Sequence, residues 1–288
     1  MSHSTSPSIA TPPPLRPAHE TKHIPILDYP FRALRFHLAQ LDNGASNGTA
    51  LWLGAQCLSL YLADNLKHRS PSSPGSTALA PDGKRPRVIE LGSGIGLSAL
   101  ALASMGWDVI ATDLPDVVST VLSGNISRNL PQLPPHSGTV QVRVFDWTVP
   151  PDQWRWDHPC TIASSQPEKQ HPAVQHGSIL SPPFDLIITS DTIYSTALVT
   201  PLIRTLHALC KASLAVSPEV RCPPVYLCLE RRDPALVDHA LSHAKDSWDF
   251  KVERIPHKKL AKAIEKSGAL WDKNEWEDVE IWKLTLRS

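Results

Sequence analysis

The sequence predicts an α/β fold: a mostly parallel seven-stranded sheet with a C-terminal antiparallel strand and helices on both faces. Three observations predict it. Short apolar segments rich in Val and Ile alternate with stretches of helical periodicity, the order a covered parallel sheet requires. One of these segments, R-V-I-E-L (87–91), runs directly into a glycine-rich turn, G-S-G-I-G-L (92–97). The chain then ends differently, with two β-like segments separated only by a short helical piece, the second alternating apolar and polar residues.

The elements follow in order. The first 20 residues hold five prolines and several serines. Such a segment buries too little apolar surface to offset its ordering entropy, so residues 1–22 are expected to be a disordered tail and 23–288 a single domain. Within 49–66, Leu51, Ala55, Leu58, Leu62 and Leu66 recur at the spacing of one helical face. After the strand at 87–91, L-S-A-L-A-L-A-S-M (97–105) reads as a buried helix closed by Gly106. W-D-V-I-A-T-D (107–113) is a second strand, and Pro115 opens the helix after it. Further strands are expected at 140–147, 184–191 and 225–230, with helices over 196–214 and 234–244. F-K-V-E-R-I (250–255), a short helix at about 257–267, and V-E-I-W-K-L-T-L (279–286) close the chain. Two proline-punctuated polar stretches, 68–86 and 157–183, are expected to be long surface loops.

Composition excludes several function classes. Lys+Arg and Asp+Glu both number 28 in 288 residues, which argues against binding nucleic acid through phosphate neutralisation. The five cysteines (Cys57, Cys160, Cys210, Cys222, Cys228) form no C-x-x-C pair, and no histidine cluster completes a zinc site, so no metal is expected. The amino terminus lacks the apolar core of a secretory signal, and no apolar run reaches the ~18 residues of a membrane span. A soluble, cytoplasmic or nuclear protein is expected. Nothing in the helix faces demands a dimer.

The turn reads Gly92-Ser93-Gly94-Ile95-Gly96. A dinucleotide-binding turn would place a third small residue at 97, which is leucine. Glu90 ends the strand before the turn, poorly suited beside a pyrophosphate and well suited to a cofactor with a positive end. S-adenosylmethionine carries an ammonium and a sulfonium, and acids around it gain Coulomb energy. Asp113 ends the second strand, where a carboxylate accepts from ribose hydroxyls, although it also suits a helix cap before Pro115. Asp146-Trp147 ends the third strand, where an acid accepts from an adenine amino group and an indole packs on the ring.

These residues resemble the seven-β-strand, Rossmann-like methyltransferases, and within them family 16, the methyltransferase-like protein-lysine methyltransferases. The carrying stretches are L-W-L-G-A-Q-C-L-S-L-Y-L, E-L-G-S-G-I-G-L, A-T-D-L, F-D-W and F-D-L-I-I-T-S-D-T-I-Y. L-E-R-R (229–232) and V-E-I-W-K-L look most like the branch of methyltransferase-like protein 22. The resemblance implies S-adenosylmethionine as cofactor and methyl transfer to a lysine ε-amine of a protein partner. By the same likeness Trp52 lies against the cofactor, the Ser190 backbone lines its methionine side, and Asp191-x-x-Tyr194 matches the D/E-x-x-Y signature. Only a neutral amine has a lone pair, so Asp191 is placed to orient the lysine or relay its proton, and Tyr194 to bond it or offer an aromatic face. Each residue has a plainer reading as well: Asp191 as the N-cap of the next helix, Tyr194 as a packed aromatic, Trp52 as a core residue. A small-molecule N-methyltransferase and a non-catalytic interaction protein on the same fold remain as alternatives. A nicotinamide enzyme is disfavoured by Leu97 and Glu90.

Overall fold

A computed structural model of the chain describes residues 15–41, 47–66, 84–166, 178–216 and 221–287. Most of 68–86, and the middle of 157–183, fall outside the described residues, as do residues 1–14.

The fold is the α/β, Rossmann-like arrangement, built on one large sheet. Its strands are β3 (Arg87–Leu91), β4 (Asp108–Asp113), β5 (Val140–Phe145), β6 (Thr161–Ala163), β7 (Leu186–Ser190), β8 (Val225–Glu230), β9 (Phe250–Arg254) and β10 (Val279–Leu286). They lie in the order β6-β5-β4-β3-β7-β8-β10-β9. All neighbours pair in parallel except at β10, which runs antiparallel to both β8 and β9. The chain order reverses at β3, which pairs with β4 on one side and β7 on the other. Open parallel sheets bind ligands outside the strand ends at such a switch point.

Successive strand residues face opposite layers. Val88, Val109 and Ala111 enter one buried cluster, whereas Ile89, Leu91 and Ile110 enter the other. The first layer holds α1 (Leu53–Asn65), α2 (Leu97–Ser104) and α7 (His257–Ser267); the second holds α5 (Thr196–Leu214) and α6 (Pro234–Ser247). Between β4 and β5 the chain is helical almost without interruption: α3 (Pro115–Val117), a π-helical turn (Val118–Leu122) and α4 (Ser123–Asn129). No described helix is long and apolar enough to cross a membrane.

Several expectations need correction. Among the described residues the sheet has eight strands rather than seven, because β6, inside the stretch expected to be a loop, adds to β5 at the edge. A separate two-stranded hairpin, β1 (Ile26–Phe31) and β2 (Leu34–Ala39), precedes the main sheet. Leu27, Tyr29, Phe31, Phe36 and Leu38 point inward from it. Two asparagines one helical turn apart on α4 complete its edge. Asn125 accepts from Ala39 N–H at 2.7 Å and donates to Ala39 O at 2.9 Å, while Asn129 does the same for His37 at 2.8 and 3.0 Å. Helix α1 begins at Leu53, not Thr49. Finally, residues 15–22, expected to be part of a disordered tail, pack on the domain. Leu15, Ala18 and Thr21 are buried, Leu15 O accepts from Trp271 Nε1 at 2.8 Å, and Arg16 O accepts from Gln56 Nε2 at 2.9 Å.

Candidate functional site

The glycine turn forms because β3 must leave the sheet, pass close under its neighbours and enter α2 within five residues. Gly92, Gly94 and Gly96 all have positive φ, at 70°, 54° and 89°, a region costly for residues bearing a Cβ. Space matters as much as angle. A Cβ on Gly92 would lie 2.8 Å from Thr192 Cγ2, and one on Gly94 3.2 Å from Gly48 O. Ser93 pins the turn to β4: its N–H donates to Thr112 O at 2.8 Å, and its Oγ accepts from Thr112 N–H at 3.0 Å.

Above this turn lies a cavity of about 520 Å³ at the carboxyl ends of β3, β4, β5, β7 and β8, within the size range of small-molecule sites. Of the residues expected to bind cofactor, Trp52, Gly92, Ser93, Gly94, Asp113, Trp147 and Ser190 line it, together with Asp191 and Tyr194. Glu90, Gly96 and Asp146 do not line it.

Asp113 stands at the end of β4 with Oδ2 accepting from Gly94 N–H and Oδ1 from Leu114 N–H, both at 2.8 Å. Burial raises its pKa to about 6 against the pull of those two bonds. Glu90 sits beneath the turn rather than in the cavity. It is 1 % exposed, and one of its carboxylate oxygens has no partner. Burial raises its pKa to about 8, although the Ser93 and Ser98 hydroxyls oppose the rise. It acts as a buried acid under the floor and makes no direct contact with the space above.

Asp146 is likewise committed elsewhere. Oδ1 accepts from the Thr148 N–H at 2.9 Å and the Thr148 hydroxyl at 2.7 Å, and Oδ2 accepts from the Ser165 hydroxyl. Burial pushes its pKa up, but these bonds outweigh burial and hold it below the ordinary value. The carboxylate therefore fixes the turn that presents Trp147 and does not itself line the cavity. Trp147 itself is held from behind by Arg204, whose guanidinium donates to Trp147 O at 2.8 Å. Its indole Nε1 is buried with no partner. A buried donor left without an acceptor is costly, and the ring that carries it lines the cavity.

Asp191 is placed differently from either sequence reading. It is one of three non-glycine residues with positive φ among those described, at 53°. Its Oδ2 accepts from Gly54 N–H at 2.8 Å and its Oδ1 from Glu230 N–H at 3.2 Å. Gly54 is in the first turn of α1, so the carboxylate caps a helix distant in sequence, not the following one. A negative charge there also meets the positive end of the helix. Burial raises its pKa to about 6 despite these backbone bonds and the Arg232 charge. Tyr194 is 51 % exposed at the rim, and burial with the Asp113 charge raises its pKa. Trp52 precedes α1, with Lys22 Nζ 3.5 Å and the Arg232 guanidinium 4.7 Å from its ring centroid. These are cation–π distances.

The sequence reading missed Asn47, Gly48, Glu230, Arg232 and Asp233 as wall residues. The last three follow the end of a parallel strand, the same signal that identified Asp113, so E-R-R-D was open to that reasoning. Nothing local distinguished Asn47-Gly48 from an ordinary turn. Among the described residues, His19, Glu20 and Glu275 form one group of clustered ligand atoms. None of the three lines the cavity.

Residues 35–159 match a family model described as lysine methyltransferase. Schizosaccharomyces pombe protein-lysine N-methyltransferase rrg1 is 35% identical over 110 residues, covering 38% of this chain and 29% of that one. Bos taurus protein-lysine methyltransferase METTL21E is 27% identical over 169 residues, covering 59% and 46%. The chain thus spans less than half the length of these relatives. A solved Pyrococcus abyssi tRNA (uracil-54, C5)-methyltransferase, in complex with S-adenosyl-L-homocysteine, aligns over 91% of this chain and 44% of its own at 10% identity and TM-score 0.43. The likeness to methyltransferase-like protein 22 stands on L-E-R-R and V-E-I-W-K-L alone. The match to the lysine methyltransferase model spans less than half of the chain, and that part holds the glycine turn, Asp113 and Trp147.

Proposed function

We propose that this protein binds S-adenosylmethionine in the cavity over the glycine turn and methylates a lysine ε-amine of a protein partner. The observation that carries the reading is the cavity's lining: the Gly92–Gly94 limb of the left-handed turn, Asp113 at the end of β4 and the Trp147 ring all border one space. Bound there, the cofactor supplies a methyl group activated by a sulfonium. Asp113 would take the ribose hydroxyls, Trp147 would pack on the adenine, and the turn and Ser190 would meet the amino-acid end. Glu90, below the turn, contributes negative potential through the floor, strongest once it is ionised.

The protein's own work in the transfer is alignment and exclusion of water, which suits an in-line displacement. Asp191 holds the start of α1, and with it Leu51 and Trp52, against the strand ends. The wall formed by Tyr194, Glu230 and Asp233 is the side from which a lysine enters. Its carboxylates favour a cation on approach, and the exposed Tyr194 ring flanks the aliphatic stem. The amine gives up its proton before attack, because the protonated form has no lone pair. On this reading the protein works as a monomer in the cytoplasm or nucleus. The absence of a disulfide among the described residues supports that placement, and the even charge balance does not suggest nucleic acid as the direct partner.

Calorimetric titration with S-adenosylhomocysteine and with NAD tests the cofactor. S-adenosylhomocysteine should bind and NAD should not, and Asp113→Ala should weaken S-adenosylhomocysteine binding by about 1–3 kcal/mol through loss of a charged acceptor. NAD binding, or an Asp113→Ala protein that is folded with full affinity, would overturn the reading.

A further inference from the structure

Away from the cavity, at the opposite end of the sheet, two thiols lie against each other. Cys210 is in the C-terminal half of α5 and is fully buried; Cys222 is half-buried and precedes β8. Both sulfurs approach the same carbonyl oxygen, that of Pro223, at 3.8 Å each, which brings the two thiols together. β8 runs from this end to Leu229 and Glu230 in the cavity wall, so the pair is separated from the cavity by the length of a strand.

We propose that Cys210 and Cys222 form a dithiol that a hydroperoxide converts to a reversible disulfide, with Cys222 reacting first and Cys210 resolving. The asymmetry between them assigns the roles. Cys222 is within reach of solvent, and its interaction with the Cys210 thiol lowers its pKa. Burial opposes that shift, while the Leu286 backbone and the Lys211 charge assist it. A thiolate near neutral pH is the nucleophile that peroxide oxidation requires. The same interaction, with burial added, raises the pKa of Cys210, so it keeps its proton and waits.

The steps balance. The Cys222 thiolate attacks a peroxide oxygen; an S–O bond forms, the O–O bond breaks, and the departing hydroxide is protonated to water. Cys210 sulfur then attacks the Cys222 sulfenic sulfur. An S–S bond forms, the S–O bond breaks, and the leaving hydroxide takes the Cys210 proton to give a second water. Two thiols are oxidised by two electrons, and one hydroperoxide is reduced. The molecule contains its own control pair, because Cys57 and Cys228 are also neighbours but both are fully buried, with their pKa values raised by that burial.

The full chain is treated with a small excess of hydrogen peroxide, quenched with iodoacetamide, and analysed by intact mass and non-reduced peptide mapping. The expected result is loss of two hydrogens, one linked peptide joining Cys210 to Cys222, and reversal by dithiothreitol, with Cys57 and Cys228 still reduced. Cys222→Ser should abolish the mass loss and leave Cys210 unoxidised. Cys210→Ser should leave Cys222 as a sulfenic acid that dimedone captures. The proposal is overturned if wild-type Cys222 stops at sulfenic or sulfinic acid with Cys210 still free, or if the disulfide forms between any other cysteines. The wild-type peptide map decides this even if a serine variant does not fold.

Discussion

Gly54 leaves room for one carboxylate and nothing more. A Cβ there would lie 2.4 Å from Asp191 Oδ2 and 2.7 Å from its Cγ, roughly 1 Å inside ordinary contact. Gly54→Ala must therefore push α1 off its seat and break the 2.8 Å bond from Gly54 N–H. A hydrogen bond to a charged group contributes about 1.5–3 kcal/mol and forced overpacking costs about 1–3 kcal/mol. The expected destabilisation is thus roughly 3–5 kcal/mol, a fall in Tm of about 10 °C for a domain of this size. Leu51 and Trp52 immediately precede the helix and line the cavity, so affinity for S-adenosylhomocysteine should fall several-fold with it. The decisive comparison is made in an Asp191→Ala background. There the obstacle is gone, and alanine is favoured over glycine within a helix by about 0.5–1 kcal/mol, so Gly54→Ala should become neutral or stabilising. Thermal denaturation of the four proteins should then give a coupling of about 3 kcal/mol or more. Additive effects, or a Gly54→Ala protein that melts with the wild type, would refute the seat.

Three further outcomes follow from the same geometry. Asp191→Asn keeps both acceptor positions only in part, so it should retain S-adenosylhomocysteine affinity within a factor of a few while methyl transfer falls about a hundredfold if the charge also orients the amine; equal loss of both would leave the residue purely a helix seat. Glu90, with its folded pKa raised to about 8, holds a proton that the unfolded chain releases near 4.5. The unfolded state therefore binds fewer protons across that window, and stability of the ligand-free protein should decline as pH rises from 5 to 8 by on the order of a few kcal/mol. Glu90→Gln should flatten this slope, and a slope unchanged in Glu90→Gln would contradict the assignment. Deleting residues 1–22 should lower Tm by roughly 5–10 °C, because it removes the buried Leu15 and Ala18 and orphans the Trp271 and Gln56 donors, about 2–3 kcal/mol in all; an unchanged melt would mean that these contacts contribute nothing.

Much of the fold was legible because strand and helix alternate with clear punctuation. Helix α5 and strands β8 and β10 fall where periodicity and proline placement put them. The hairpin was missed although Leu27, Tyr29 and Phe31 alternate cleanly, because its turn is Arg32-Ala33, without the Asn-Gly or Asp-Gly pair that marks hairpins. Pro30 within the strand also argued against one. β6 was hidden by its three-residue length inside a polar stretch. At the site, placement at strand ends was readable, since Asp113 and Trp147 both line the cavity. What Asp146, Glu90 and Asp191 bond to was not, since each is decided by a partner distant in sequence or by the depth of burial. Asp191 illustrates this best: its seat on α1 joins residues 137 positions apart, and no local pattern records that.

The central claim, methyl transfer to a protein lysine, is tested most directly by incubating the full chain with S-adenosylmethionine labelled in the methyl group and a cell extract. The macromolecular and low-mass fractions are then separated, and the protein fraction is hydrolysed to amino acids. Label should appear in protein as methylated lysine, and Asp113→Ala should reduce it in step with its lower cofactor affinity. Label confined to the low-mass fraction, or carried on a residue other than lysine, would contradict the assignment even in a protein that binds S-adenosylhomocysteine normally.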